Sequence, residues 1–237
     1  VPFLDLKAAA ADIAPAIEVA LLQAARSGHY VMGPQLERFE TEFGAYCEAK
    51  HCLGVANGLD ALRIGLEAMG VGAGDEVIVP ANTYIATWLA VSQCGAILVP
   101  VEPIEATHNI DPDAVAEAIT SKTKVILAVH LYGQPADLDA LRVVADQHGL
   151  QILEDAAQAH GARYKSDRIG AKGTATFSFY PSKNLGALGD GGALVTDDPD
   201  IAHQGGLLRN YGSEIKFVHE VKGLNSRLDP LQAAVLS

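Results

Sequence analysis

The residues with the clearest capacity for chemistry are a lysine and a carboxylate, each set at the end of an apolar stretch. Lys183 lies in Phe177-Ser178-Phe179-Tyr180-Pro181-Ser182-Lys183-Asn184-Leu185-Gly186, and Gly189, Gly191 and Gly192 follow closely. Glycines let a backbone approach a ligand. A lysine whose amine can become neutral is the group that forms a Schiff base. A solvated surface lysine is the competing reading. Asp155 ends the run Gln151-Ile152-Leu153-Glu154-Asp155. A carboxylate at the end of an apolar strand needs a cation or hydrogen-bond donors, because burial alone neutralises it. It is either a helix cap or structural ion pair, or the partner of a protonated heteroaromatic nitrogen.

Asn57-Gly58-Leu59-Asp60 opens a helix, and the free N–H groups and dipole of such an end attract a phosphate. Ser178 is positioned in sequence to add a hydroxyl. The glycines after Lys183 do not have the spacing of a dinucleotide-binding loop, and a strand rather than a helix follows them. The three cysteines, Cys47, Cys52 and Cys94, form no CxxC pair and read as reduced thiols, so no metal site is expected.

These groups must be held by the elements around them. Leu59, Leu62, Leu66 and Met69 recur at helical spacing, as do Ile85, Trp88, Leu89 and Ser92. Val77–Pro80, Ile97–Val101, Lys124–His130, Gln151–Asp155, Thr176–Tyr180 and Gly192–Thr196 read as short apolar strands. Helices are predicted from Asp111-Pro112, where Pro suits a first turn, and over Leu138–His148, ended by Gly149. Alternating short strands and helices imply an α/β fold with a mostly parallel sheet covered on both faces. Leu228–Ser237 reads as the start of a helix, and the sequence lacks an initial Met. Both suggest a piece of a longer protein.

The 237 residues are 49% hydrophobic and 19% charged, an ordinary globular composition. A net charge of −12 excludes a broad nucleic-acid surface, which needs clustered Lys and Arg. No uninterrupted apolar run reaches the roughly 18 residues of a membrane span. Val1–Lys7 lacks the pattern of a signal peptide. The expectation is a soluble, cytoplasmic protein.

Several segments carry a family resemblance: Val79-Pro80-Ala81-Asn82-Thr83-Tyr84-Ile85-Ala86-Thr87, Glu154-Asp155-Ala156-Ala157-Gln158-Ala159-His160-Gly161, Phe177–Gly192 and Lys222–Asp229. Their order along the whole chain resembles the DegT/DnrJ/EryC1/StrS sugar aminotransferases. The resemblance implies a fold-type I, aspartate-aminotransferase-like architecture using pyridoxal 5'-phosphate (PLP). An N-terminal arm and helix would cover 1–30 and a large PLP-binding domain 31–237, with a small C-terminal domain missing.

It also implies roles. Lys183 would bind the cofactor covalently and move protons. Asp155 would pair with the pyridine nitrogen, and Gln158 would lie near the phenolic oxygen. Tyr84 would stack on the ring, the alternative being a core aromatic. Gly58, Leu59, Asp60 and Ser178 would hold the phosphate, joined by Asn225 from a neighbouring subunit, which implies a homodimer with shared sites. Lys216 and Arg227 are candidates for contacting a nucleotide diphosphate, or are solvated surface charges.

A lysine at 183, where a dehydrating branch has histidine, favours transamination. Asn57–Leu62, Ala81–Ala86, His130–Gly133 and Asn210–Ser213 resemble members acting on dTDP-3-keto-6-deoxyhexoses with L-glutamate as donor. Ser182 stands where several of those members have Gly. C-4 amination and a non-catalytic, PLP-binding regulatory role are the alternatives.

Overall fold

A computed structural model describes residues 4–237; the start of the predicted N-terminal arm, residues 1–3, lies outside them. Seven strands form the central sheet: β1 (His51–Val55), β2 (Glu76–Pro80), β3 (Ile97–Val101), β4 (Thr123–Val129), β5 (Gln151–Asp155), β8 (Thr174–Ser178) and β9 (Gly192–Thr196). β6 (Arg163–Tyr164) and β7 (Asp167–Arg168) make a separate hairpin. The sheet order is β1-β9-β8-β5-β4-β2-β3. β9 alone runs against its neighbours, so the other six strands end at the same edge.

The helices are α1 (Leu6–Arg26), α2 (Pro34–Tyr46), α3 (Gly58–Ala68), α4 (Ile85–Gln93), α5 (Pro112–Ala118), α6 (Leu138–His148), α7 (Pro199–Leu208) and α8 (Pro230–Leu236). The predicted mostly parallel α/β fold is what the chain adopts. Val125, Ile126, Leu127 and Ala128 of β4 are all fully buried, as expected of a strand covered on both faces. The strand expected over Thr176–Tyr180 instead spans Thr174–Ser178, because Pro181 and the turn that carries Lys183 end the ladder.

Two local patterns fix the site. In Phe177-Ser178-Phe179 successive side chains point to opposite faces. Both Phe rings enter a cluster with Phe39 and Phe43, at centroid distances of 5.1 to 5.4 Å. Burying each ring contributes about 1.5–3 kcal/mol, and this forces Ser178 to the other face. Ahead of α3, the buried Arg209 donates to the carbonyl of Gly54 at 2.9 Å and pairs with Glu40. Glu40 also accepts the Gly54 N–H at 2.7 Å, and Ser226 Oγ accepts that of Ala56 at 3.1 Å. These bonds fix the end of β1 and thus the start of α3.

Of the helical face of Ile85, Trp88, Leu89 and Ser92, Trp88 packs against the core while Ile85 and Leu89 do not. α4 buries Thr87, Ala90 and Val91 instead, and leaves Ile85 and Leu89 in a cavity wall. α1 departs from the sequence expectation in another way. Its 21 residues are long and apolar enough, by length and composition, to cross a membrane. Counting uninterrupted apolar runs missed it because Lys7, Asp12 and Glu18 divide an alanine-rich segment. Its sides are largely exposed, and it packs against α8.

Candidate active site

At the carboxyl edge of the sheet, where ligands of open α/β folds bind, lies a cavity of about 560 Å³. Gly58, Leu59, Tyr84, Asp155, Gln158, Ser178 and Lys183 line it together. The chain thus brings seven of the predicted residues, from four separate segments, to one wall.

Each is placed by a neighbour. Asn57 caps α3 by accepting the Asp60 N–H at 2.8 Å. The N–H groups of Gly58 and Leu59, in the first turn, have no carbonyl one turn back and point an anion-binding helix end at the cavity. A Cβ on Gly58 would sit 2.6 Å from Ser178 Cβ, and one on Gly192 would collide with the carbonyl of Asn57. Both must be glycine for β8, β9 and α3 to meet this closely. The Lys183 N–H donates to the Tyr180 carbonyl at 2.8 Å, closing the turn that presents the half-buried lysine.

Asp155 is 6% exposed. Its carboxylate accepts the Thr87 hydroxyl at 2.9 Å and the Ala157 N–H at 3.1 Å. Burial pushes its pKa up, and the bonds from Ala157 and Thr87 offset part of that rise. Neutral donors leave a buried carboxylate under-compensated, so the site favours a cationic group beside it. Gln158 Oε1 accepts the Tyr132 N–H at 2.7 Å. Tyr84 is no core aromatic: it is 72% exposed and stands over the cavity at the start of α4.

Four predicted residues lie elsewhere. The Asp60 N–H is already taken by Asn57, which leaves this residue's backbone out of the cradle. Asn225 is exposed and pairs with Asn210 in an isolated bridge. Arg227 donates to Asn210 Oδ1 at 2.9 Å with its guanidinium 5.3 Å from the centre of the Tyr211 ring. Lys216 rests 5.0 Å from the centre of the Phe217 ring. None of the four lines the cavity.

Thr87, Thr83, Tyr180, Ser182 and Asp190 line it and were not singled out as binding residues. Thr87 had a signal, since it lies one turn beyond Tyr84 on the same helix; its hydroxyl also meets that of Thr83 at 2.8 Å. Among the described residues no group of three or more His, Cys, Asp or Glu could hold a metal. Burial raises the thiols of Cys47 and Cys94 to about 12.

The arrangement fits one group well. A helix end and hydroxyl suit a phosphate, an under-compensated carboxylate suits a protonated ring nitrogen, and a lysine lines the same cavity. Fold and site together define the cofactor-binding core of the fold-type I PLP proteins. The chain belongs to the DegT/DnrJ/EryC1/StrS aminotransferase family, whose model matches residues 11–237.

It is 60% identical over its whole length to the dTDP-3-amino-3,4,6-trideoxy-alpha-D-glucose transaminase of Streptomyces venezuelae, and spans 62% of that protein. The crystal structure of S. venezuelae DesV in complex with a ketimine intermediate superposes with a TM-score of 0.98 at 59% identity. That match covers all of this chain and 64% of the other. Bacillus subtilis NtdA, solved with bound cofactor PMP, gives a TM-score of 0.94 at 37% identity over 99% of this chain and 54% of the other. The chain thus spans under two thirds of these relatives, and the cofactor of its family is PLP.

Proposed function

We propose that this chain is the cofactor-binding part of an aminotransferase that converts a dTDP-3-keto-6-deoxyhexose to the 3-amino sugar, with L-glutamate as donor. Residues 31–237 are its PLP-binding unit, and residues 1–30 an arm and helix leading into it. The protein works as a cytoplasmic homodimer with shared active sites. The observation that carries the reading is the convergence of Lys183, Asp155, Gln158, Ser178 and the start of α3 on one cavity. The 60% identity to a 3-amino-sugar transaminase favours C-3 over C-4.

When bound, PLP supplies an electron sink that makes loss of a carbon-bound proton accessible. The protein's residues do the rest. The N–H groups of Gly58 and Leu59 and the Ser178 hydroxyl hold the phosphate, which fixes the register of the ring. Asp155 keeps a proton on the ring nitrogen, and its own burial is then offset by a cation. Tyr84 covers a ring face, and Gln158 contacts the ring edge. Lys183 Nζ holds the cofactor and carries the proton between the reacting carbons. The amino group of glutamate replaces the keto oxygen of the sugar, and 2-oxoglutarate leaves. Asn225 serves the partner's phosphate, and Lys216 and Arg227 meet the nucleotide diphosphate.

Borohydride reduction of the PLP-saturated protein, followed by peptide mass analysis, should place a pyridoxyl group on Lys183. Glutamate should then release 2-oxoglutarate, and a 3-keto sugar nucleotide should be aminated in preference to its 4-keto counterpart. An unlabelled Lys183 defeats the cofactor assignment; labelling without turnover defeats catalysis in favour of a regulatory binder.

A further inference from the structure

Only the front of β5 faces the cavity. Glu154 and Asp155 are neighbours on one strand and therefore face opposite sides of the sheet. Behind the site, Glu154 Oε2 meets His130 Nε2 at 3.0 Å, with His130 fully buried and Glu154 nearly so. The other ring nitrogen, Nδ1, accepts the Ala136 N–H at 3.0 Å. Nδ1 must therefore be bare, which puts the ring's single proton on Nε2, donated to Glu154. The pair fixes a tautomer as well as a position.

What that ring fastens is the segment between His130 and Ala136. The His130 N–H donates to the Asp155 carbonyl at 3.0 Å, and the Leu131 N–H reaches Asn109 Oδ1 at 3.3 Å. Within the segment Tyr132 has φ 56° and ψ 21°, left-handed backbone that an aromatic residue rarely adopts. Its side chain is 78% exposed, so packing of the ring does not explain the conformation. The front-face product of this held conformation is the Tyr132 N–H aimed at Gln158 Oε1 at 2.7 Å. Gly133, at φ 81°, lets the turn lie against the Gln158 backbone, where a Cβ would sit 3.2 Å from its carbonyl oxygen. Unfavourable backbone persists where the surroundings over-determine it, and here they do so at the cavity wall.

We propose that His130, held in its Nε2–H form by Glu154, is a positioning residue. It bolts the Leu131–Ala136 turn from behind and so aims Gln158 at the cofactor. The proposal rests on the PLP reading above.

The test is a double-mutant cycle on PLP affinity in the PLP-binding protein. His130→Gln keeps a donor for Glu154 but offers Ala136 no acceptor. It should raise the PLP Kd about tenfold, the loss of roughly one hydrogen bond between a misaimed Gln158 and the cofactor. Gln158→Ala should weaken binding to a similar degree. The double variant should be within about twofold of the weaker single one, because both remove the same contact. Glu154→Gln still accepts the Nε2–H and should stay within about twofold of wild type, whereas Glu154→Leu should match His130→Gln. Val125→Ala, in the core of β4, should lower Tm without moving the Kd.

Losses that multiply in the double variant overturn the proposal. So does a His130→Gln protein that binds PLP normally, or a Val125→Ala protein of equal Tm loss that binds it as poorly. A wild type that takes no PLP overturns the functional reading and this inference together; multiplying losses in a wild type that does bind PLP overturn the inference alone.

Discussion

Replacing Asp155 by Asn should make the cofactor-free protein no less stable, and above the acid range more stable, while weakening its hold on PLP. Asp155 is buried and meets two neutral donors, Thr87 and Ala157. Its pKa is raised, chiefly by burial. A carboxylate raised on folding contributes stability below its unfolded value, about 4, and that contribution is lost as pH rises through the folded value. The cofactor-free wild type should therefore lose up to about 1.4 kcal/mol per pH unit above pH ~4 from this group alone, until the carboxyl has ionised.

In the Asp155→Asn protein there is no charge to bury. The new amide can occupy the Oδ2 position, because the Thr87 hydroxyl can turn to accept it and donate to Thr83 at 2.8 Å instead. With PLP the order inverts. A charge-assisted bond to the ring nitrogen contributes about 1.5–3 kcal/mol, so the variant should bind PLP roughly tenfold to 150-fold more weakly. Urea unfolding of both cofactor-free proteins from pH 5 to 9, with PLP titrations at pH 8, measures the two quantities. A variant destabilised equally at every pH, or one that binds PLP as wild type does, refutes the reasoning.

Gly192→Ala should cost about 1–3 kcal/mol in unfolding experiments, since its Cβ meets the Asn57 carbonyl rather than a yielding side chain. It should also weaken PLP binding, because relief comes only by pushing the start of α3 off β9. His160 packs its buried ring on Phe177 and Phe179 at 5.4 and 5.8 Å, with the Ser178 backbone as a nearby polar neighbour; burial lowers its pKa to about 4. A histidine lowered on folding destabilises as pH falls from about 6.5 toward that value. His160→Phe should thus remove about 3 kcal/mol of acid destabilisation by pH 4, read from matched unfolding curves; an unchanged acid limb would refute the assignment.

The sequence made the elements legible where periodicity and punctuation agreed. β4, α3 and α6 fall where the apolar runs, Asn57 and Gly149 put them. Ile85, Trp88, Leu89 and Ser92 share one helical face, yet periodicity does not say that Trp88 meets the core while Ile85 and Leu89 line a cavity. α1 escaped notice because scattered charges hide an apolar helix from a count of consecutive residues. Asp60 carries chemistry that suits a phosphate, but type and motif position do not reveal that its N–H is already used by Asn57.

The pair Glu154-Asp155 shows what kind of information was missing. Either carboxylate satisfies the pattern of an acid at the end of an apolar strand, and the family resemblance picks one without a physical reason. The reason lies in the pleat and in the neighbouring strands. Val129 pairs with Asp155 and lines the cavity, whereas Ala128 pairs with Glu154 on the covered side. The Asp therefore meets an open cavity and two neutral donors, a setting completed by a bound cation. The Glu meets a buried histidine and is completed by the protein itself. One residue of register separates the carboxylate that faces the cavity from the one paired with His130, and a slip by one would exchange them.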